Sequence, residues 1–345
     1  MRIIVFILMM LASSVTFAQQ QELEDIAEQQ ETDIEDDDLI QPVDLNTATE
    51  ADLQDLQLLN ALQVKAFVQY RELLGKLLSI YELQAIPYWD IATIQKILPY
   101  VTIGEQTPKL MKGSGTLLAR FSRKVLLRYK YTYKNLLQYG VLVNKDGSET
   151  NYSFHVFVRN LGMIQSLAIG DFTVNMGQGL IHWQTLALGK SAEITGAKRQ
   201  SAILRLYSSP GKDNFHRGVA VSLKRHQLTA TTFASFKDQL TLGGTLAFDH
   251  KLWHVAANLI HYNFPTPVEK RDEPYDLFAF RGTQLTNYSI NYDYTFHNLH
   301  GFGEVAASST SGFAMVHGLL VSLDRRADAS LVVRHLTPAF QSLYS

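Results

Sequence analysis

Residues 125–134 read VLLRYKYTYK, and the pattern in this stretch decides the fold of most of the chain. The odd-numbered positions carry Val, Leu and three Tyr, whereas the even-numbered positions are mostly Arg, Lys and Thr. Successive side chains of a β-strand point to opposite faces of the sheet. The alternation therefore predicts a strand with one apolar face and one polar face.

The same alternation recurs along the C-terminal two-thirds of the chain. It is clear at 219–224 (VAVSLK) and 288–296 (YSINYDYTF), and weaker near 153–160, 201–207, 241–249, 252–262 and 313–323. Polar turn signals, such as Lys224-Arg225-His226 and Asp249-His250-Lys251, separate neighbouring segments as in hairpins. Residues 107–345 are therefore predicted to form a long antiparallel β-meander.

Three features favour a transmembrane β-barrel for this meander. The protein carries an export signal, the strands approach the 9–11 residues that a tilted spanning strand needs, and tyrosines cluster at strand ends like interfacial girdles. The alternative is a large soluble periplasmic β-domain. Residues 341–345 (QSLYS) lack the terminal aromatic residue typical of outer-membrane barrels. We therefore also expect an incomplete barrel, either a fragment of a longer protein or one that closes in another way.

The N-terminal 41 residues predict export and a tether. Residues 1–18 (MRIIVFILMMLASSVTFA) have one basic residue, a short apolar run and small residues at a cleavage site, as in a secretory signal peptide. Residues 19–41 contain ten acidic residues and no basic one, which predicts a disordered, solvated linker. The chain has no cysteine, so neither disulfides nor thiolate chemistry contribute.

Between these regions, residues 42–106 have a helical pattern. Thr47 and Glu50 are spaced as a capping box, and an apolar helical face follows. A second helix is predicted to end at Gly75, which suits a C-cap. Ser79 opens a second hairpin, whose last helix contains Ile91, Ile94, Ile97 and Leu98.

Two segments of this region carry a family resemblance. VDLNTATEADLQDL (43–56) and YRELLGKLLSIYELQAIP (70–87) resemble the tandem helix-hairpin-helix domain of ComEA-like competence proteins, which bind DNA in the periplasm. The whole chain resembles exported helix-hairpin-helix domain-containing proteins of Gram-negative bacteria, whose C-terminal part is taken to be an outer-membrane barrel. The resemblance implies an α+β multidomain protein, in which a small all-α domain precedes the barrel.

The hairpin turns depart from the family pattern. The family has a Gly-hydrophobic-Gly turn whose backbone N–H groups bind a phosphate, whereas this chain has Leu58-Leu59-Asn60 and Tyr88-Trp89-Asp90. Residues 42–106 also hold 8 acidic against 4 basic residues, which opposes DNA binding. We expect the domain to keep its shape and to lose its grip on phosphate. The remaining DNA-binding candidates are Asn60, Gln63 and Lys65. Candidates for a protein-binding surface, or alternatively for core packing, are Leu58, Leu59, Tyr88 and Trp89.

No pattern in the chain predicts catalysis, a cofactor or a metal site. His250 and His254 would lie about 13 Å apart along a strand, too far to share an ion. The pair His182-Trp183 is interpreted as part of an aromatic girdle, with a ligand-stacking spot as the alternative, and MGQGL (176–180) as a tight turn or bulge. We therefore expect a protein that is not an enzyme.

The leading hypothesis is an outer-membrane protein with a periplasmic N-terminal helical domain. That domain would be an interaction module, which docks on a periplasmic protein partner or gates the inner mouth of the barrel. The alternative is a ComEA-like protein for DNA binding or uptake. A second alternative is an anion-selective pore, because the residues beyond 106 carry 26 basic and 15 acidic side chains. These basic residues would face either the lumen or the outer-membrane lipids and lipopolysaccharide.

Overall fold

The computed structural model describes a helical domain followed by one large sheet. The predicted signal peptide and acidic linker lie outside the described residues, which are 42–103, 113–121, 124–133, 136–147, 149–185, 196–269, 277–324 and 327–344.

The helical domain contains three α-helices, α1 (Glu50–Asp55), α2 (Ala61–Leu74) and α3 (Ile91–Ile97). Two 3-10 helices, Ile80–Ala85 and Leu98–Tyr100, precede and follow α3. Strands β1 (Val43–Asp44) and β2 (Val101–Thr102) pair in parallel and join the two ends of the domain. Within the described ranges, no helix is both long and apolar enough to cross a membrane.

Side-chain caps decide where the helices begin. The capping box of α1 is formed by Thr49 and Asp52, so the predicted box of Thr47 and Glu50 was wrong by two residues. Thr47 instead lies in a turn, where its backbone N–H donates to the carbonyl oxygen of Asp44 at 3.0 Å. Gly75 ends α2 with φ +89°, a backbone angle that favours glycine, and so confirms the predicted helix end.

The helices enclose an apolar core of their own. Phe67 and Trp89 stack at its centre with ring centroids 5.8 Å apart. The other buried members are Leu45, Ala48, Leu53, Leu59, Val64, Ala66, Leu77, Leu83, Ile86, Ile97 and Val101. Burial of the apolar faces of short helices stabilises the domain, because helices of six or seven residues are not stable alone.

The rest of the described chain forms a single sheet of fourteen strands. Its strands are β3 (Ser114–Phe121), β4 (Lys124–Tyr133), β5 (Leu137–Asp146), β6 (Glu149–Leu161), β7 (Ile164–Val174), β8 (Leu204–Leu206), β9 (His216–Arg225), β10 (Leu228–Ser235), β11 (Leu240–Asp249), β12 (Trp253–Val268), β13 (Gly282–Phe296), β14 (Leu299–Ser308), β15 (Phe313–Asp324) and β16 (Ala327–Leu336).

Thirteen of these strands form an antiparallel ladder in chain order, which confirms the predicted meander. Only β8 lies off this path, where it pairs with the end of β7. Hairpin turns fall at predicted signals; for example, His226 between β9 and β10 has φ +55°. Between β7 and β9 the chain leaves the ladder, and residues 175–185 form an inner loop whose Met176, Leu180 and Ile181 pack against the sheet.

The two faces of the sheet have opposite chemistry. One face, the outer face, exposes a large apolar side chain from every strand of the ladder: Leu117, Tyr129, Val141, Phe154, Ile169, Val219, Leu228, Leu242, Leu259, Ile290, Val305, Leu319 and Leu331. The other, inner face buries many polar side chains, among them Ser222, Thr231, Thr245, Asn258, Ser289 and Asn291. The exposed apolar face is the reverse of the usual half-buried sheet of a soluble protein.

The sheet is open within the described residues. The ladder begins at β3 and ends at β16, and no pairing between these two strands is present in the described ranges. A small helical domain followed by an antiparallel meander is thus confirmed, and among the described strands the meander is not closed into a barrel.

Candidate functional site: the helical domain against the inner face of the sheet

The N-termini of α2 and α3, where the family binds phosphate, are capped by side chains of this domain. The Asn60 side chain accepts from the Gln63 backbone N–H at 2.9 Å, and the Gln63 side chain accepts from the Asn60 N–H at 3.0 Å. The Asp90 carboxylate accepts from the Thr93 N–H at 2.7 Å. Hydrogen bonds from Thr93 keep the pKa of Asp90 below its usual value, so this carboxylate is charged at neutral pH.

The DNA-binding candidates are all buried. Asn60 and Gln63 form the capping box of α2, and the Gln63 amide also donates to the Tyr88 carbonyl oxygen at 3.2 Å. Lys65 pairs with Glu50 at 2.9 Å. Burial lowers the pKa of Lys65, but the carboxylates of Glu50 and Asp293 outweigh this effect, so the ammonium stays charged.

The four turn residues proposed as a protein-binding surface divide into two groups. Leu59 and Trp89 are core residues, and the Trp89 indole N–H donates to the Gln63 carbonyl oxygen at 3.1 Å. Leu58 and Tyr88 are half-buried and pack against the same core. Leu59 and Trp89 therefore pack in the core, which is the alternative role considered from the sequence.

The helical domain also contacts the inner face of the sheet. Asp55, at the end of α1, accepts a hydrogen bond from the Ala202 backbone N–H at 2.9 Å and lies 3.6 Å from the Arg205 guanidinium. Asp52 lies 3.6 Å from Arg159 of β6. Charged groups of α1 thus face complementary groups of the sheet.

Apolar contacts support the same docking. Ala61, at the start of α2, is buried with Phe302 of β14 and Leu320 of β15. Because β6 and β14 are far apart in the ladder, these contacts require the sheet to curve around the domain. We call this set of contacts the docking interface.

A charged cluster lies beside the docking interface. The Lys198 ammonium donates to Asp293 at 3.0 Å and to the Nε2 atom of His300 at 3.1 Å. The other ring nitrogen of His300 lies 2.7 Å from the hydroxyl of Thr295. Since Nε2 accepts from Lys198, His300 is neutral and its Nδ1 atom donates to Thr295. Lys198, Thr295 and His300 are buried, and the nearby Asp293 carboxylate offsets the charge of the Lys198 ammonium.

Polar side chains of the inner face are linked by hydrogen bonds across neighbouring strands. The Asn258 amide donates to Ser289 at 3.0 Å and to Asn291 at 2.8 Å, and accepts from Thr245 at 2.9 Å. A cavity of about 670 Å³ separates this polar wall from the helical domain. Its lining includes Lys65 and Glu50 from the domain and Asn291 from the sheet. The space is polar and roomy enough for water.

The inner loop binds the side chain of Glu304. The backbone N–H groups of Gln178 and Leu180 donate to the Glu304 carboxylate at 2.7 and 3.0 Å. Gly177 and Gly179 allow this turn with φ values of +54° and +75°, which confirms the predicted tight turn at MGQGL. A Cβ atom at Gly177 would lie 2.7 Å from the carboxyl group of Glu304, which would then have to shift.

The girdle interpretation of His182 is wrong. His182 is fully buried on the inner side, where its Nδ1 atom lies 2.9 Å from the Tyr262 hydroxyl and its Nε2 atom 3.0 Å from Nε2 of His216. Burial lowers the pKa of His182 to about 3, so the ring is neutral. Its neighbour Trp183 lines the cavity and lies under the Arg199 guanidinium, 5.5 Å from the ring centroid. The girdle interpretation failed because the chain leaves the ladder after β7, and no periodicity in the sequence predicts this departure.

The histidines do not form a metal centre in the part of the chain that the structure describes, where no group of three metal-ligating side chains occurs. His250 lies in the turn before β12, and the Nδ1 atom of His254 lies 2.6 Å from a carboxylate oxygen of Asp249.

Sequence reasoning missed Asp52, Asp55, Lys198 and Asp293. Asp52 and Asp55 follow an ordinary helix pattern, and their partners are more than a hundred residues away along the chain. One local signal was available at the helix N-termini. Asn60 and Asp90 are favoured N-cap residues, so their side chains could have been predicted to accept hydrogen bonds from backbone N–H groups.

The comparisons with known proteins address the two parts of the chain separately. A family model described as a helix-hairpin-helix motif matches residues 39–102. No curated protein gives a significant match. Solved structures similar to the sheet include the outer-membrane expressed OmpT of Vibrio cholerae, with 10% identity, a TM-score of 0.37, and 66% of this chain and 77% of that chain covered.

A mutant of the Rh. blastica porin is also similar, with 10% identity, a TM-score of 0.26, and 61% of this chain and 85% of that chain covered. Within the matched range, the described residues 42–102 fold as a small helical domain with the helix-hairpin-helix motif, and this domain is docked on an antiparallel sheet whose large apolar side chains face outward.

Proposed function

We propose that the protein is a non-enzymatic outer-membrane protein whose helix-hairpin-helix domain acts as a plug against the inner wall of the sheet. The observation that carries this proposal is the exposed apolar outer face, to which every strand of the ladder contributes. In water such a continuous surface is unfavourable, whereas in a bilayer it faces lipid. Outer-membrane lipids and lipopolysaccharide are the partners of this face.

The docking interface supports the role of the helical domain. Its interaction partner is the sheet of the same chain, through Asp55, Asp52 and Ala61. A domain held there obstructs the inner mouth of the wall, and its release would open the polar cavity. The domain lies on the periplasmic side if the export signal and tether act as the sequence predicts.

The caps at Asn60 and Asp90 do not favour DNA as a partner. A phosphate at either helix N-terminus would compete with a side chain that already accepts its backbone N–H groups. At Asp90 the phosphate would also meet a negative charge.

The membrane proposal is tested by expression of the full chain with its leader in a bacterial host. The chain should stay with outer membranes after washes with urea and with alkaline carbonate. Recovery in the soluble periplasmic fraction would contradict the proposal.

The plug proposal uses the absence of native cysteines. Asp55→Cys combined with Ala202→Cys should form a disulfide in the inserted protein, because these residues are in contact. Asp90→Cys with Ala202→Cys is the matched control and should not. In planar bilayers the disulfide-locked plug should carry less current than the reduced protein. Equal currents, or no disulfide in inserted protein, would contradict a plug; a reduced state selective for anions would favour the pore alternative.

A further inference from the structure

The polar cavity between the helical domain and the inner face of the sheet has the size of a ligand site. Its volume is about 670 Å³, and small-molecule pockets in proteins commonly measure about 300–1,000 Å³. The lining includes Glu50 and Lys65 from the helical domain and Asn258 and Asn291 from the sheet. A molecule in this space therefore contacts both parts of the protein.

Three buried polar atoms at this cavity have no hydrogen-bond partner among the described residues. They are Nε1 of Trp183, Oε1 of Gln200 and Oδ1 of Asp293, and all three residues line the cavity. Buried polar groups of native proteins are nearly always hydrogen-bonded, because an unpaired one costs free energy. Three such atoms at one cavity indicate that their partners lie inside it.

The three side chains are held in place by their other contacts. The Gln200 amide nitrogen donates to the carbonyl oxygen of Leu59 at 3.4 Å, which ties it to the helical domain. The second carboxylate oxygen of Asp293 accepts from Lys198 at 3.0 Å. The Trp183 ring lies under the Arg199 guanidinium. The unpaired atoms therefore come from three separate segments of the chain, each of which is positioned independently of a ligand.

The charges around the cavity favour an uncharged ligand. Its described lining carries seven basic and six acidic side chains, against seventeen Ser, Thr, Asn and Gln. Lys65 is paired with Glu50 and Lys198 with Asp293. An ionic ligand would compete with these pairs and would leave a buried charge without its partner, whereas a neutral ligand leaves them intact.

The hydrogen-bonding groups narrow the class of ligand further. Trp183 offers a donor, whereas Gln200 and Asp293 offer acceptors. A carboxylate or phosphate only accepts, and it would be repelled by Asp293. An ammonium group only donates. A hydroxyl group does both, so a molecule with several hydroxyls satisfies all three atoms.

We propose that the polar cavity binds a neutral polyhydroxylated solute, a small carbohydrate, through Trp183, Gln200 and Asp293. This inference deepens the plug proposal, on which it rests in so far as the sugar lies between plug and wall. Since the sugar contacts the helical domain and the sheet together, its binding stabilises the docked state by mass action.

Isothermal titration calorimetry of the full chain tests the site. The protein is extracted in a polyoxyethylene detergent, which has no sugar headgroup that could occupy the cavity. The neutral probes are glucose, galactose, maltose and lactose. Glucuronate and glucosamine are the anionic and cationic relatives of glucose. At least one neutral sugar should bind with a stoichiometry of one per chain, and about ten-fold or more tightly than either charged sugar.

Two variants locate the bound sugar. Trp183→Phe removes the indole N–H and keeps an aromatic ring, so the affinity should fall several-fold. Trp253→Phe, in β12 and outside the cavity lining, is its matched control and should bind like the wild type. Gln69→Trp fills part of the cavity from α2 and should also weaken binding, whereas Leu74→Trp, exposed on the same helix, should not.

Three results would overturn the inference. One is no heat of binding with any of the neutral sugars, in which case the cavity holds water alone. Another is a charged sugar that binds as tightly as the neutral ones. The third is an unchanged affinity in both Trp183→Phe and Gln69→Trp, which would place the sugar elsewhere. Equal currents from the disulfide-locked and the reduced protein would instead overturn the plug and leave the sugar site intact.

Discussion

In the helical domain Leu53 and Phe67 are buried and Glu72 and Lys76 are exposed, whereas in the sheet Leu259 and Ile290 lie outside and Asn258 and Asn291 are buried. Both regions contain the same residue types and both fold by separation of apolar from polar groups. The apolar side chains lie in the interior of the helical domain but on the outer face of the sheet.

The difference indicates two solvents for one chain. The helical domain follows the hydrophobic effect in water, which drives apolar area inward. The sheet has an inverted pattern, which is stable where hydrocarbon replaces water at the outer surface. Substitutions that add charge to exposed apolar positions should therefore destabilise the sheet and leave the helical domain almost unchanged.

The largest effect is expected at the helical core. Trp89→Ala removes a buried indole that stacks on Phe67 and should cost about 3–5 kcal/mol, enough to unfold a domain of this size. Loss of helical circular dichroism in the full chain, with the sheet signal retained, is the measurement. Equal loss of both signals would show that the two regions fold as one unit.

Ile290→Lys should destabilise the sheet by about 2–4 kcal/mol in a bilayer, since it places a charge on the outer face. Ile91→Lys, at a more exposed position of the helical domain, should change stability by less than about 0.5 kcal/mol. Urea unfolding in lipid vesicles compares the two variants. A neutral Ile290→Lys would show that water, not lipid, surrounds the sheet.

Acidification should weaken the packing of the inner loop. The pKa of His182 is lowered to about 3 in the folded protein, below its usual 6.5, so the unfolded chain binds the proton first. Stability is complete above pH 6.5 and falls between pH 6.5 and about 3, by at most about 1.4 kcal/mol per pH unit for this group. Urea titrations at several pH values should show a shallower fall for His182→Gln.

Loss of a cap should have a smaller effect. Asn60→Ala removes the acceptor for the Gln63 backbone N–H and should destabilise the helical domain by about 0.5–2 kcal/mol. Asn60→Asp, which keeps an acceptor, is the control and should be close to wild type. Thermal unfolding followed by circular dichroism distinguishes them.

The protein is not expected to bind DNA. Fluorescence anisotropy of labelled duplex and single-stranded DNA should stay flat on addition of the full chain, at low and at physiological salt. Binding that weakens steeply with salt would restore the competence-type function despite the occupied caps.

The local sequence pattern was sufficient to predict the helices and strands. The alternation at 125–134 and 288–296 predicted β4 and β13, and Gly75 marked the end of α2. The capping box lies at Thr49 because Thr47 forms a turn with Asp44. Both threonines are acceptable caps, and a few hydrogen bonds decide between them. The docking interface had no local signal, because Asp55 and Ala202 meet across 147 positions of the chain.

The sequence by itself determined which residues form strands and helices, and that each strand has an apolar and a polar face, since these properties follow from the period of the backbone. Only the tertiary structure decided that the apolar face lies outside, that Asn60 and Gln63 serve a helix cap, and that the helical domain is docked on its own sheet. These results depend on contacts between distant segments, whose partners no local periodicity specifies.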